Sequence, residues 1–180
     1  MTTYDIAVFI GRFQPFHNGH LSVLKNCLKM ANRVIVICGG ADSPRTYKNP
    51  FSDAERYKMI ESSVNDPRVI VRSTHDTIYD DAAWADRIRS IVQSESLPGS
   101  KIVLAGHNKD ESSFYLSMFP EWHVSIMPME ERLDATSIRS LYFVHKPNLN
   151  FVRSVVPNGT MDVLSDFVRK SEFNWITSER

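Results

Sequence analysis

Five short apolar runs, at residues 6–10, 34–38, 69–71, 102–105 and 123–127, recur along this 180-residue chain with helical patterns between them. The runs are β-rich and read as strands. Leu21, Leu24, Leu28 and Ala31 share one helical face and Trp84, Ile88, Ile91 and Val92 share another, while Ser52-Asp53-Ala54-Glu55 is a capping box that opens a third helix. Strands that recur after helices lie parallel. The pattern therefore predicts an α/β fold built on a doubly wound, five-stranded parallel sheet, with a ligand crevice outside the C-terminal ends of the strands at the switch point. After the fifth run the alternation stops, and residues 136–144, 149–156 and 161–170 read as consecutive helices separated by Lys146-Pro147 and Pro157-Asn158-Gly159. The expected organisation is a core over 1–145 and a helical C-terminal subregion of the same domain over 146–180, whose last residues, 171–180, either fray or dock. A chain of this length encloses a substantial core.

The segment Gly11-Arg12-Phe13-Gln14-Pro15-Phe16-His17-Asn18-Gly19-His20 lies where the first run gives way to a helical pattern beginning near Leu21. Two imidazoles three positions apart, a guanidinium and two glycines at the mouth of a helix combine positive charge with open backbone N–H groups, which is what a phosphate requires. Neither a Walker loop nor a dinucleotide fingerprint occurs, so an H-x-G-H motif remains. A single histidine at a helix start is ordinarily solvated or capping, a reading that suits this pair poorly. Gly19 has no evident packing role and lets a backbone approach a ligand closely. A metal shared by His17 and His20 is the other reading, but it lacks a third ligand nearby, and Cys27 and Cys38 form no C-x-x-C pair.

Three further segments leave strands in the same manner. Gly39-Gly40-Ala41-Asp42-Ser43-Pro44-Arg45-Thr46 follows the second run, with Asn49-Pro50-Phe51-Ser52 and Arg56 at the next helix. A Gly-Gly pair is equally a plain turn, but loops after successive parallel strands converge, which makes Arg45 and Arg56 phosphate or ribose partners. Leu104-Ala105-Gly106-His107-Asn108-Lys109-Asp110 again leaves a strand with glycine, with His107 and Lys109 either at a ligand or solvated. In Leu133-Asp134-Ala135-Thr136-Ser137-Ile138-Arg139 a Thr or Ser caps a new helix. That leaves Arg139 in the first turn, where a cation is unfavourable unless an anion is bound. Trp84, after Tyr79-Asp80-Asp81-Ala82-Ala83, either joins the core with Ile88 and Ile91 or stacks on a flat heteroaromatic ring, with Asp80 or Asp81 bonding an amide or ribose.

A balance of 21 basic and 21 acidic residues argues against a binder of nucleic acid or membrane driven by net charge and favours a small ligand. Two cysteines build no disulfide framework and suit a reducing compartment. Residues 1–5 carry no basic targeting region and no apolar run reaches the length of a membrane span, so the expected location is cytoplasmic.

In combination, Gly-Arg-Phe-Gln-Pro-Phe-His-Asn-Gly-His, Ala-Asp-Ser-Pro-Arg-Thr, Asn-Pro-Phe-Ser with Arg56, Gly-His-Asn-Lys-Asp and Ala-Thr-Ser-Ile-Arg resemble the nicotinamide-nucleotide adenylyltransferases over roughly residues 5–145. Within this H-x-G-H nucleotidyltransferase superfamily the chain is most similar to the archaeal-type enzymes and to the adenylyltransferase half of bifunctional proteins that also carry a Nudix hydrolase. The resemblance implies a Rossmann-like core and the reaction of ATP with nicotinamide mononucleotide (NMN) to give NAD and pyrophosphate, with Mg2+. It implies that His17, His20, Arg12 and Arg139 are catalytic, the imidazoles and Arg12 on the phosphates and Arg139, with Thr136 or Ser137, on the β and γ groups. Gly11, Phe13, Gln14, Gly19, Gly106, Thr136, Ser137 and Ile138 would bind ATP. Asp42, Arg45, Asn49, Phe51, Tyr79, Asp80 and Trp84 would bind NMN, with Trp84 stacked on the nicotinamide, and no protein side chain is assigned to a metal. Where relatives commonly show Ser-Gly-Thr-x-Ile-Arg, this chain has Asp134-Ala135-Thr136-Ser137-Ile138-Arg139, whose backbone at Ala135 is less permissive. A Nudix box is absent, so hydrolase activity is not expected of these residues. A homo-oligomer, a fused or separate Nudix partner, and the choice between nicotinamide and nicotinate stay open. So do three rival readings: a transferase of the same superfamily with another phosphate acceptor, a non-catalytic nucleotide sensor, and a zinc-binding module.

Overall fold

The computed structural model describes residues 2–77, 79–106, 111–127 and 134–180, with only the backbone of 111–113. The chain divides into two compact units, one of Met1–Gly11, Ser22–Ala41 and Pro67–Glu130, the other of Arg12–Leu21, Asp42–Asp66 and Glu131–Arg180. No helix among the described residues is long and apolar enough to cross a membrane.

The first unit is a five-stranded sheet of β1 (Tyr4–Gly11), β2 (Ala31–Cys38), β3 (Val69–Ser73), β4 (Ile102–Gly106) and β5 (His123–Ile126), in the order β3-β2-β1-β4-β5. All the pairings are parallel. Growth from β1 runs first toward β3 and then toward β5, so the sheet is doubly wound as the alternation predicts, with the switch point between β1 and β4. The central strands are buried on both faces, which is why they read as continuous apolar runs. Ile6, Val8 and Ile10 pack with Ile35, Ile37 and Leu104 against Ala85, Ile88 and Val92 of α3 (Asp81–Ser94). Ala7 and Phe9, which alternate with them, are also buried. The register sets Gly11 opposite Cys38, and the Gly39 N–H donates to the Gly11 carbonyl at 2.9 Å, so β1 and β2 end level with one another. The thiols of Cys27 and Cys38 are fully buried, and burial pushes that of Cys27 up to about 12.

The helix α1 (Asn18–Met30) departs from the sequence expectation at both ends. Ala31 opens β2, paired with Tyr4, and is no part of the helical face; that face is Val23, Leu24 and Cys27. Helix and strand abut here with no glycine or proline between them, so periodicity alone cannot locate the junction. The earlier start puts Gly19 and His20 inside the first turn.

The second unit contains α2 (Asp53–Val64), α4 (Ala135–Tyr142), α5 (Leu149–Val155), α6 (Asn158–Phe167) and α7 (Ser171–Ser178). The predicted capping box forms: the Ser52 hydroxyl accepts from the Glu55 N–H, and the Glu55 carboxylate accepts from the Ser52 N–H at 2.9 Å. A Cβ on Gly159 would come within 2.6 Å of the Ser62 backbone, so this glycine sets how closely α6 lies on α2. One expectation is corrected, and one pair of alternatives is decided. The cap of α4 is Asp134, whose carboxylate accepts from the Ser137 N–H at 2.7 Å, and not Thr136 or Ser137. Residues 171–178 form a docked helix, with Phe173 and Ile176 buried and Phe173 packed on Tyr142 and Phe143. A single turn's worth of apolar spacing was too weak a signal to show it in sequence.

Candidate active site

In the second unit the H-x-G-H segment is built around Phe13, which has φ of 52°, in the left-handed region that bulky residues rarely occupy. Buried donors fix the backbone on both sides of it. Arg56 gives Nη1–H to the Arg12 carbonyl at 2.9 Å, and Arg139 gives Nη1–H to the Gln14 carbonyl at 2.8 Å. Gln14 in turn clamps the backbone of Phe51, its Nε2 donating to the carbonyl and its Oε1 accepting from the N–H, each at 2.9 Å. Both hydrogen bonds are buried, where leaving either group unmade would cost about 1–3 kcal/mol. Arg56, expected at a phosphate or ribose, is thus an internal brace, paired also with Asp53.

The two imidazoles lie together. His17 is buried and His20 partly so, their rings stacked at 3.6 Å with an interplanar angle of 24°. Phe13 meets the His20 ring edge-on at 4.9 Å. The His17 N–H donates to His20 Nδ1 at 3.3 Å, so the neutral His20 ring carries its proton on Nε2, as a donor. A Cβ on Gly19 would stand 3.1 Å from the His17 ring; Gly19 does have a packing role, which is to admit that imidazole.

Arg139 sits in the last turn of α4, not the first, where a cation is favourable, so the electrostatic conflict inferred from sequence is absent. It is 7% exposed. Its Nη hydrogen bonds end on uncharged oxygens, the Gln14 carbonyl and the Thr136 hydroxyl at 3.1 Å, and its buried Nε has no hydrogen-bond partner among the described residues. Burial pulls its pKa below the ordinary arginine range, against the favourable influence of Tyr47 and Asp134.

Other candidates of this unit are already engaged. Arg45 forks onto Glu55 at 2.7 and 3.2 Å and donates to the Pro50 carbonyl at 2.5 Å, so its charge is largely matched internally. Phe51 is buried among Tyr142, Phe143 and Phe167. The side chains of Phe13, Gln14, Phe51 and Ile138 all turn inward, so their backbone is what these residues have to offer a ligand. Exposed Arg12 donates to Asn49 Oδ1 at 3.4 Å, and Asp42 is exposed with φ of 53°. Ser137 and Thr136 are exposed on the first turn of α4.

Glu55 and Tyr47, beside Arg139, are functional candidates that the motifs did not single out. Burial alone would raise the Glu55 pKa, but bonds from Arg45, Lys170 and the Ser52 N–H outweigh it and hold the carboxyl below its usual range. A depressed carboxylate pKa stabilises the fold above the unfolded value, near 4.3, and that share is lost as pH falls through the folded value. We expect Glu55→Gln to cost roughly 1–3 kcal/mol at neutral pH, and the gap in melting temperature from wild type to close as pH drops below about 4. A gap independent of pH would show that the carboxylate charge is not what stabilises.

In the first unit Gly106 ends β4; a Cβ there would lie 2.7 Å from a Leu116 methyl, so its lack of side chain is required by packing. Residues 107–110, with the expected His107 and Lys109, lie outside the described residues. Asp80 caps α3 by accepting from the Ala83 N–H at 2.9 Å, and Tyr79 before it is fully exposed with φ of 61°. Trp84 is partly buried against the core, edge-on to Tyr115 at 6.2 Å and tilted on Phe119 at 6.1 Å. The core reading of Trp84 therefore has contacts behind it, although the indole is not enclosed.

Comparison with known proteins identifies the class. The sequence profile of the cytidylyltransferase-like family matches residues 8–137, so the chain is a member of that nucleotidyltransferase family. It is 38% identical over 170 residues, 93% of this chain and 88% of the relative, to the nicotinamide/nicotinic acid mononucleotide adenylyltransferase of Acinetobacter baylyi. It is 32% identical over 141 residues, 73% of this chain and 69% of the relative, to the nicotinamide-nucleotide adenylyltransferase of Thermococcus kodakarensis. Within the class, the chain belongs to the nicotinamide-nucleotide adenylyltransferases. Among solved structures, a bifunctional NMN adenylyltransferase/ADP ribose pyrophosphatase of Francisella tularensis, complexed with AMP and a manganese ion, matches with a TM-score of 0.87 at 30% identity. The match covers 98% of this chain and 52% of the other, so the chain spans about half of that bifunctional protein.

Proposed function

We propose that this chain transfers the adenylyl group of ATP to NMN, forming NAD and pyrophosphate. The observation that carries this reading is Arg139, a buried guanidinium whose hydrogen bonds among the described residues end on uncharged oxygens, one of them the carbonyl of Gln14 in the segment that carries the imidazole pair. A cation placed so keeps its charge for a polyanion. In the proposed step a phosphate oxygen of NMN attacks the α-phosphorus of ATP in line, the new P–O bond forms as the bond to the β-phosphate oxygen breaks, and pyrophosphate leaves with the electron pair. The ionised phosphate needs no base, so the protein supplies alignment and positive charge. His20 offers Nε2–H and Arg12 and Arg139 their guanidinium groups to the phosphates, and the backbone of Gly11, Gly19, Gly106 and Thr136–Ile138 is likewise proposed for ATP. Mg2+ is proposed to enter on ATP as part of the substrate, since it keeps most of its ligands from phosphate and water.

Asp42, Arg45, Asn49, Tyr79, Asp80 and Trp84 are proposed for the NMN side. The buried thiols suit a cytoplasmic setting. Incubation with ATP, Mg2+ and either NMN or nicotinate mononucleotide, followed by chromatography for dinucleotide and pyrophosphate, tests the reaction; absence of both products would refute it. For Trp84→Ala we expect a raised KM for the mononucleotide, equivalent to about 1–3 kcal/mol of lost stacking, with ATP affinity nearly unchanged. A strongly destabilised variant with ordinary mononucleotide affinity would instead make the indole purely a core residue, for which truncation costs roughly 3–5 kcal/mol.

A further inference from the structure

The Arg139 guanidinium has a third neighbour that no sequence motif marks. Its Cζ lies 5.9 Å from the centroid of the Tyr47 ring, within the range of a cation–π contact. The ring is itself anchored. It meets Phe143 at 6.0 Å, and the turn that carries it is closed by Thr46 N–H to the Asn49 carbonyl at 3.3 Å and Asn49 N–H to the Thr46 hydroxyl at 3.1 Å. A second guanidinium, that of Arg180, lies 6.0 Å from the same ring.

The contrast with Arg45 gives this contact its meaning. Glu55 fixes Arg45 but also neutralises it, through two charge-assisted bonds. The carbonyl, the hydroxyl and the aromatic ring around Arg139 fix its direction without a hydrogen bond to a carboxylate among the described residues. The Gln14 carbonyl and Thr136 hydroxyl engage the two Nη groups, and the ring adds a third contact that restrains the guanidinium without itself carrying a counter-charge.

We propose that Tyr47 is a positioning residue for the adenylyl transfer, its ring orienting Arg139 toward the phosphates of ATP. The proposal rests on the reading that Arg139 meets ATP. It assigns the role to the ring and not to the hydroxyl, and it requires Tyr47 to act through Arg139.

The test uses Tyr47→Leu, Tyr47→Phe, Arg139→Ala and the double variant Tyr47→Leu/Arg139→Ala, with ATP binding by calorimetry, KM for each substrate and a thermal melt. Tyr47→Leu is expected to weaken ATP by roughly 5- to 30-fold with the KM for the mononucleotide unmoved, and Tyr47→Phe to recover ATP affinity. In the Arg139→Ala background, Tyr47→Leu should have no further effect. Equal losses for both substrates, a loss in Tyr47→Phe matching that in Tyr47→Leu, or additive losses in the double variant would each overturn the proposal. If Arg139→Ala binds ATP as wild type does, the functional reading of Arg139 itself fails. A normal Tyr47→Leu beside a weakened Arg139→Ala removes Tyr47 alone.

Discussion

His20→Ala is expected to lower kcat by on the order of 10²-fold or more while the fold survives. The ring is only partly buried, and its removal strips an acceptor from the His17 N–H at a helix start where water can replace it. The chemical loss is larger, because the neutral ring presents Nε2–H in a fixed direction, set by the hydrogen bond on Nδ1 and the stack on His17. A donor aimed in advance at charge that develops in the transition state is worth about 3–4 kcal/mol, since no reorganisation is needed when the reaction occurs. His20→Asn, which keeps a donor on a shorter side chain, should recover part of kcat. Single-turnover kinetics with a melt on both variants measures this, and unchanged turnover in His20→Ala would remove the residue from the chemistry.

For Arg139→Ala the expectation has two parts. ATP should weaken by at least an order of magnitude more than the mononucleotide, because the lost cation faces the triphosphate in the proposed reading. The melting temperature should also fall, because truncation leaves the buried Gln14 carbonyl without its donor, at about 1–3 kcal/mol. Arg139→Lys separates the two effects: a lysine retains the charge but cannot reach both the Gln14 carbonyl and the Thr136 hydroxyl as a planar fork does. It should therefore bind ATP better than the alanine variant while staying below wild type in stability. Equal losses for ATP and mononucleotide in Arg139→Ala would indicate that the residue only supports the 12–14 backbone.

The candidate site was legible where chemistry depends on residue type at short spacing. His17 and His20 are three apart and share one helix start, so their stacking follows from local geometry. Ser52 and Glu55 close a capping box for the same reason. The second role of Glu55 was hidden, since Arg45 lies ten residues away and Lys170 one hundred and fifteen. Arg56 and Arg139 look alike in sequence as cations near helix starts, yet the fold pairs Arg56 with the Asp53 carboxylate, while the hydrogen bonds of Arg139 end on the uncharged oxygens of Gln14 and Thr136.

The sequence alone determined the class of this protein. Strand and helix follow from periods of two and about three and a half residues, and a strand that recurs after a helix lies parallel to its predecessor, so the five parallel strands were legible in local pattern, while their order came from the tertiary structure. The H-x-G-H segment at the end of β1 was fixed in the same way. Only the tertiary structure decided what each polar side chain in that setting does. Whether Gln14 faces a ligand or the Phe51 backbone, whether Arg45 is available or paired, and which ring lies beside Arg139 depend on residues brought together from distant parts of the chain. Burial makes those choices binding, because a polar group removed from water must find its partner wherever the fold supplies one.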